Sequence, residues 1–168
     1  MVAGLPKPRG GTDEDARRLA DAGARCAEIA RQLEALVDAD AASYEHVMAA
    51  YRLPKSNDEE KAARSASIQA ALVGAIEPPI DVMRACAAAI DQAAVVAALG
   101  NRNASSDVLV ALELLGAGIR GAKVNAEINL VPLKDAGRGE ILRSVLATLT
   151  TVSETGIAAA RARLADPA

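Results

Sequence analysis

The sequence predicts an all-α fold, a single-domain bundle of about five helices with one very long helix. Three observations carry this. Apolar residues recur every seven positions over a long first stretch with no proline in it. Prolines and glycines fall mainly between periodic stretches, where helices end. No stretch shows the period-two alternation of a half-buried strand, and no repeat or low-complexity linker divides the 168 residues.

Thr12, followed by Asp13, Glu14 and Asp15, marks the first helix start, with a side-chain acceptor at the cap and carboxylates in the positive first turn. The series Leu19, Cys26, Leu33, Asp40, Val47 and its companion Ala22, Ile29, Leu36, Ser43, Ala50 then face a helical neighbour as far as about Tyr51. That is roughly 39 residues and about 58 Å. Leu53-Pro54-Lys55 ends this helix, and Ser56 to Glu59 restarts one with capping-box spacing. The second helix runs to about Ile76 and stops at Pro78-Pro79. A third spans about Pro79 to Leu99, where Gly100 is expected to supply a left-handed exit. The fourth runs from about Ser106 to Leu130 and, after Pro132 and Gly137, a fifth from about Arg138 to Leu164.

Composition narrows the class. Apolar residues make up 51% of the chain, yet it has no Phe and no Trp, so the core must be Ala, Leu, Val and Ile. Small side chains bury little area each. Long, closely packed helices compensate, as does burial of a helical face against a second subunit. A net charge of -3 and the lack of aromatic stacking platforms argue against nucleic acid. Cys26 and Cys86 have no C-x-x-C spacing and read as core residues in a reducing compartment. His46 has no metal-type ligand at i+4, so no metal site is expected. The apolar opening Met1 to Leu5 stops at Pro6, short of a signal sequence. The runs Ala93 to Leu99 and Val108 to Ile119 are too short or interrupted to span a bilayer. The expectation is a cytoplasmic protein with no membrane partner.

Three features ask for chemistry. Asp40 places a carboxylate in an apolar seam, which costs several kcal/mol, roughly, unless the group is paired or wet. It is either a buried Asp fixing helix register through a hydrogen bond or a catalytic or ligand-binding carboxylate. The loop Gly100 to Asp107 concentrates Asn and Ser, which either cap the next helix or form a polar site. On the fourth helix Asp107, Ala111, Leu114, Gly118, Gly121 and Asn125 share one face, and its glycines admit either a neighbouring helix or a flat ligand.

The segment Asp40-Ala-Ala-Ser-Tyr-Glu-His-Val-Met-Ala-Ala-Tyr-Arg-Leu-Pro-Lys55, with Glu59 to Arg64 and Ile68 to Leu72, resembles the cyclodeaminase/cyclohydrolase family. So do Gly100-Asn101-x-Asn103-x-x-Ser106-Asp107 and Val124-Asn125-x-x-Ile128-Asn129. The similarity covers Met1 to about Leu142. The resemblance implies a helical homodimer in folate one-carbon metabolism, using no cofactor beyond its tetrahydrofolate substrate. Members expel ammonia from 5-formimidoyltetrahydrofolate to form the 5,10-methenyl bridge, or add water to that bridge to give 10-formyltetrahydrofolate. Both reactions pass through a tetrahedral carbon between two nitrogens, which needs a proton shuttle and an anionic neighbour for a cation.

On this resemblance Asp40 is the central catalytic carboxylate. Lys7 matches a family lysine that donates a proton or meets the substrate's glutamate carboxylate. Tyr44, Asn101, Asn103, Asp107 and Asn125 are the implied substrate-binding residues. Lys55, Lys61 and Arg64 suit the anionic tail or a solvated helix face. The family also carries, ahead of the position of Met1, a glycine-rich turn and most of an apolar helix, of which residues 1–11 read as the remnant and the following loop. Around Lys7 the family's Thr and basic run are replaced by Pro6, Pro8, Gly10 and Gly11. Two alternatives stand beside the enzyme: a truncated, non-catalytic helical dimer that binds folate weakly or only a protein partner, and an unrelated small-residue bundle.

Overall fold

The computed structural model describes residues 1–5 and 11–165. Five α-helices follow in order: α1 (Asp13–Arg52), α2 (Asp58–Gly74), α3 (Glu77–Leu99), α4 (Ser105–Leu130) and α5 (Ala136–Ala165). Single 3-10 turns lie at Val2–Gly4 and Arg102–Ala104, and no strand occurs among the described residues. The all-α architecture with one very long helix is the one the periodicity predicts.

The start of α1 is a full capping box. Thr12 Oγ1 accepts from the Asp15 amide at 3.1 Å, and the Asp15 carboxylate accepts from the Thr12 amide at 3.0 Å. The helix then holds for 40 residues, about 60 Å. The next start differs from expectation by one residue. Asn57, not Ser56, caps α2, accepting from the Glu60 amide at 2.8 Å, while Glu60 reaches back to the Ser56 amide at 2.6 Å. Asn is among the best capping residues, and the Glu60 carboxylate adds a bond to the residue before the cap rather than to the Asn57 amide that a full capping box would use.

α3 packs on α1, α4 and α5 and forms the centre of the bundle. Its two prolines sit in the first turn, where a missing N–H costs nothing. Ile76, Ile80, Met83 and Ile90 from this stretch join Leu112 of α4 and Leu146 of α5 as the most deeply buried large side chains. The core is aliphatic throughout. The run Asp58–Leu99, across α2 and α3, contains an 18-residue window of mean hydropathy 1.6, long and apolar enough to cross a membrane by length and composition. The apolarity serves the core, since ten residues of α3 are buried.

Gly100 also departs from prediction. Its backbone is extended (φ -75°, ψ 177°) rather than left-handed. Glycine is needed there because the chain turns tightly over the last helical carbonyl: a Cβ would lie 2.5 Å from the Val96 oxygen. Asn101 Oδ1 then accepts from the Asn103 amide at 3.0 Å, so it caps the short 3-10 turn, whereas α4 starts with no side-chain cap. Ser153 Oγ, on α5, is buried without a hydrogen-bond partner among the described residues.

Candidate active site

The middle of α1 is where its seam loses its cover. Leu19, Ala22, Ile29, Val47 and Ala50 are buried, but Leu33, Leu36, Asp40 and Ser43 between them are only half-buried. Opposite them α4 presents Gly118, Gly121, Ala122 and Asn125, and the start of α3 supplies Pro79 and Val82. The result is an open groove of about 280 Å³ with apolar walls and Asp40 and Asn125 as its polar groups.

Asn125 Nδ2 donates to Asp40 Oδ1 at 3.1 Å, across 85 positions of sequence. Asn129, one turn later, donates through Nδ2 to the Ala75 carbonyl at 3.4 Å and to the Asn125 carbonyl at 3.2 Å. The amide pair thus ties α4 to the α2–α3 corner and sets the height at which Asn125 meets α1. Ser43 Oγ donates to the Asp40 carbonyl at 2.7 Å and spends its hydroxyl on the backbone. Asp40 therefore has a neutral donor on one oxygen and no cationic partner among the described residues. A half-buried carboxylate held in this way is suited to a cationic ligand or to proton transfer.

The two glycines resolve separately. A Cβ on Gly118 would stand 3.2 Å from Cys86 Sγ, so this glycine admits α3. A Cβ on Gly121 would meet nothing within 4 Å, so this one faces open space. Burial raises the pKa of both thiols, Cys26 and Cys86, which keeps them protonated and unreactive near neutrality. Among the described residues no three His, Cys, Asp or Glu side chains cluster in a way that could hold a metal ion, and His46 is exposed.

The other expected residues do not all gather here. Tyr44 lies one turn beyond Asp40 and is 59% exposed. Lys7 lies outside the described residues. The Asn101 to Asp107 loop is not joined to Asp40 within the chain. Asn101 lines a small recess with Val96, Ala97 and Leu164; Asn103 is exposed; and Asp107 lines a separate recess with Val2, Ala3 and Gly23. The reason is the length of α4. Asp107 and Asn125 share a face but stand eighteen residues apart, about 27 Å along the helix axis.

The family model described as formiminotransferase-cyclodeaminase matches residues 1–148. The chain belongs to the formiminotransferase-cyclodeaminase family. Among its relatives, a methenyltetrahydrofolate cyclohydrolase from Methylorubrum extorquens is 42% identical over 112 residues, covering 67% of this chain and 54% of that protein. The formimidoyltransferase-cyclodeaminase of Sus scrofa is 32% identical over 133 residues, covering 79% of this chain and 25% of the larger protein. A solved formiminotetrahydrofolate cyclodeaminase from Thermotoga maritima superposes with a TM-score of 0.75 at 27% identity, over 97% of this chain and 75% of that one. The chain thus spans about half the length of its cyclohydrolase relative and about a quarter of a bifunctional family member.

Proposed function

We propose that the chain acts in folate one-carbon metabolism as a cyclodeaminase or cyclohydrolase, with the Asp40–Asn125 groove as its reaction site. The observation that carries this is a half-buried carboxylate, hydrogen-bonded by a neutral amide and without a cationic partner among the described residues, on the wall of an open groove. In the deaminating direction, N10 of the substrate attacks the formimidoyl carbon and gives up its proton, and the carbon–nitrogen bond to the amino group breaks as that nitrogen is protonated and leaves as ammonia. In the hydrating direction, water adds to the methenyl carbon, loses a proton, and the bond to N5 breaks with a proton on N5. Each route needs one group that stabilises a cation and exchanges a proton, and Asp40 suits both tasks. No metal, redox group or nucleic acid enters this reading, and its setting is cytoplasmic.

The family supports both chemistries, and this groove has one polar centre for either. An absorbance assay on the purified chain discriminates. Decay of methenyltetrahydrofolate above the buffer rate is expected of a cyclohydrolase, its formation from 5-formimidoyltetrahydrofolate is expected of a cyclodeaminase, and neither above the buffer rate favours the non-catalytic helical dimer. Gly121 tests where the substrate lies. Gly121→Ala is expected to raise stability by about 1 kcal/mol through helix propensity. Gly121→Leu, which fills the groove, is expected to raise KM about tenfold, a loss of about 1.4 kcal/mol of binding. An unchanged KM in the leucine variant would place the substrate elsewhere.

The proposed active form is a homodimer. On α4 the exposed Val110, Leu114, Val124 and Ile128 follow the three-and-four spacing of a coiled-coil seam, with Ala117 at its narrow centre. The seam is self-matching under antiparallel pairing, Val110 to Ile128 and Leu114 to Val124. Such pairing carries the Asp107 end of one α4 toward the Asn125 end of its copy, shortening the gap between the asparagine loop and Asp40. No membrane is part of this assembly, in which the apolar α3 stays inside each protomer.

A further inference from the structure

Pro79 leaves a gap in the hydrogen bonding of the corner between α2 and α3. A helical carbonyl is satisfied by the N–H four residues later, and for Ala75 that residue is Pro79, which has none. Ala75 is buried, and no backbone N–H reaches its carbonyl among the described residues. The bonds around it are made: the Ala75 N–H donates to the Ala71 carbonyl at 2.9 Å and the Ile80 N–H to the Ile76 carbonyl at 3.2 Å. The missing donor comes from another helix. Asn129 Nδ2 gives one hydrogen to the Ala75 carbonyl at 3.4 Å and the other to the Asn125 carbonyl at 3.2 Å, one turn back on α4.

This bond fixes the height of α4 against the corner from which α3 departs. Gly121, one turn before Asn125, would meet nothing within 4 Å if it carried a Cβ, so no interlocking side chain holds α4 at this level on the groove side. Asn125 donates to Asp40 Oδ1 at 3.1 Å, and the height of α4 decides whether that bond is made. With Oδ1 engaged, Oδ2 is the oxygen left without a partner among the described residues, on a carboxylate that lines the groove. A carboxylate free to turn exchanges a proton in many directions; one clamped through a single oxygen does so in one.

We propose that Asn129 is a positioning residue of the reaction: anchored on the carbonyl that Pro79 leaves without a donor, it holds Asn125 against Asp40 Oδ1, so that Oδ2 is the oxygen presented to the substrate. Asn129 touches no substrate and acts on turnover through Asn125. This inference rests on the groove reading above and deepens it.

The test is a double-variant cycle on the full chain, read by kcat and KM and by the side-chain amide signals in a proton–nitrogen correlation spectrum. Asn129→Ala is expected to lower kcat about tenfold with KM within about twofold, since the acid–base group is displaced and the apolar walls are not. Asn125→Ala is expected to lower kcat by a similar factor. The double variant is then expected to match Asn125→Ala within about twofold, because Asn129 has nothing left to position. Two independent losses would instead multiply to about a hundredfold, which overturns the inference, as does a kcat for Asn129→Ala within about twofold of wild type. Asn129→Ala also strands the Ala75 carbonyl and is expected to melt a few degrees lower. Pro79→Ala supplies an N–H at the fourth residue and is expected to return that loss, so the cycle is repeated in the Pro79→Ala background to compare equally folded proteins. If the tenfold effect of Asn129→Ala disappears there, Asn129 is a helix cap alone and the inference falls. In the spectrum, the side-chain amide pair of Asn125 is expected to move in Asn129→Ala and to exchange faster with water, while that of the exposed Asn103 stays. An unmoved Asn125 pair overturns the inference whatever the activity. A moved pair in a chain that turns over neither folate substrate supports the clamp and sinks the folate reading separately.

Discussion

Replacing Asp40 by Asn is expected to lower kcat by about 10²- to 10³-fold, within the range for loss of a general acid or base, and to leave the melting temperature within about a degree of wild type. Asn has nearly the same shape and keeps an oxygen to accept from Asn125 Nδ2, so the tie between α1 and α4 survives. The variant lacks the negative charge and the exchangeable proton. A register-fixing role predicts the opposite pattern, with stability falling and activity following it. Steady-state kinetics and a thermal melt on one preparation separate the two. Asn125→Ala is the companion. It leaves Asp40 without its donor and is expected to affect turnover less, since the carboxylate remains.

Leu112→Ala is expected to cost about 3 to 4 kcal/mol of folding free energy, read as a lowered midpoint in urea. Leu112 is 0% exposed and belongs to the cluster that joins α3, α4 and α5. In a core with no aromatic ring, each leucine or isoleucine carries a larger share of the buried area than in an ordinary domain. A loss below about 1 kcal/mol would mean that the helices close over the cavity, which rigid packing resists. By contrast, truncating Val124 on the open face of α4 in the monomer removes little that is buried. A large loss there, dependent on protein concentration, would report the dimer instead.

The helices and most of their ends were legible because the forces that set them are local. A Thr with an acidic residue three positions later, prolines at a helix start and a seven-residue apolar repeat all act within a turn or two. Where two local solutions competed the reading slipped, as at Ser56 against Asn57. At Gly100 glycine served close approach to a carbonyl rather than a positive φ. The oddness of Asp40 was visible in the seam, but its partner was not, because Asn125 reaches it only after α2 and α3 have folded between them. Periodicity fixes which face a residue occupies and is silent about its height. Asp107 and Asn125 therefore looked like neighbours and stand at different levels of the rod. Lys134 and Gln69 had no local mark at all, since they meet only when the α4–α5 connection docks onto α2.

The poverty of aromatic residues has a practical sequel. With no tryptophan, the near-ultraviolet signal of the chain comes from its two tyrosines, Tyr44 and Tyr51. One stands a turn from Asp40, and the other lies beneath the Arg64 guanidinium where the end of α1 meets α2. The molecule thus carries one optical reporter beside the groove and a second at the far corner of the same helix. Replacing Tyr51 by leucine leaves a single-chromophore protein in which occupancy of the groove can be watched through Tyr44 alone.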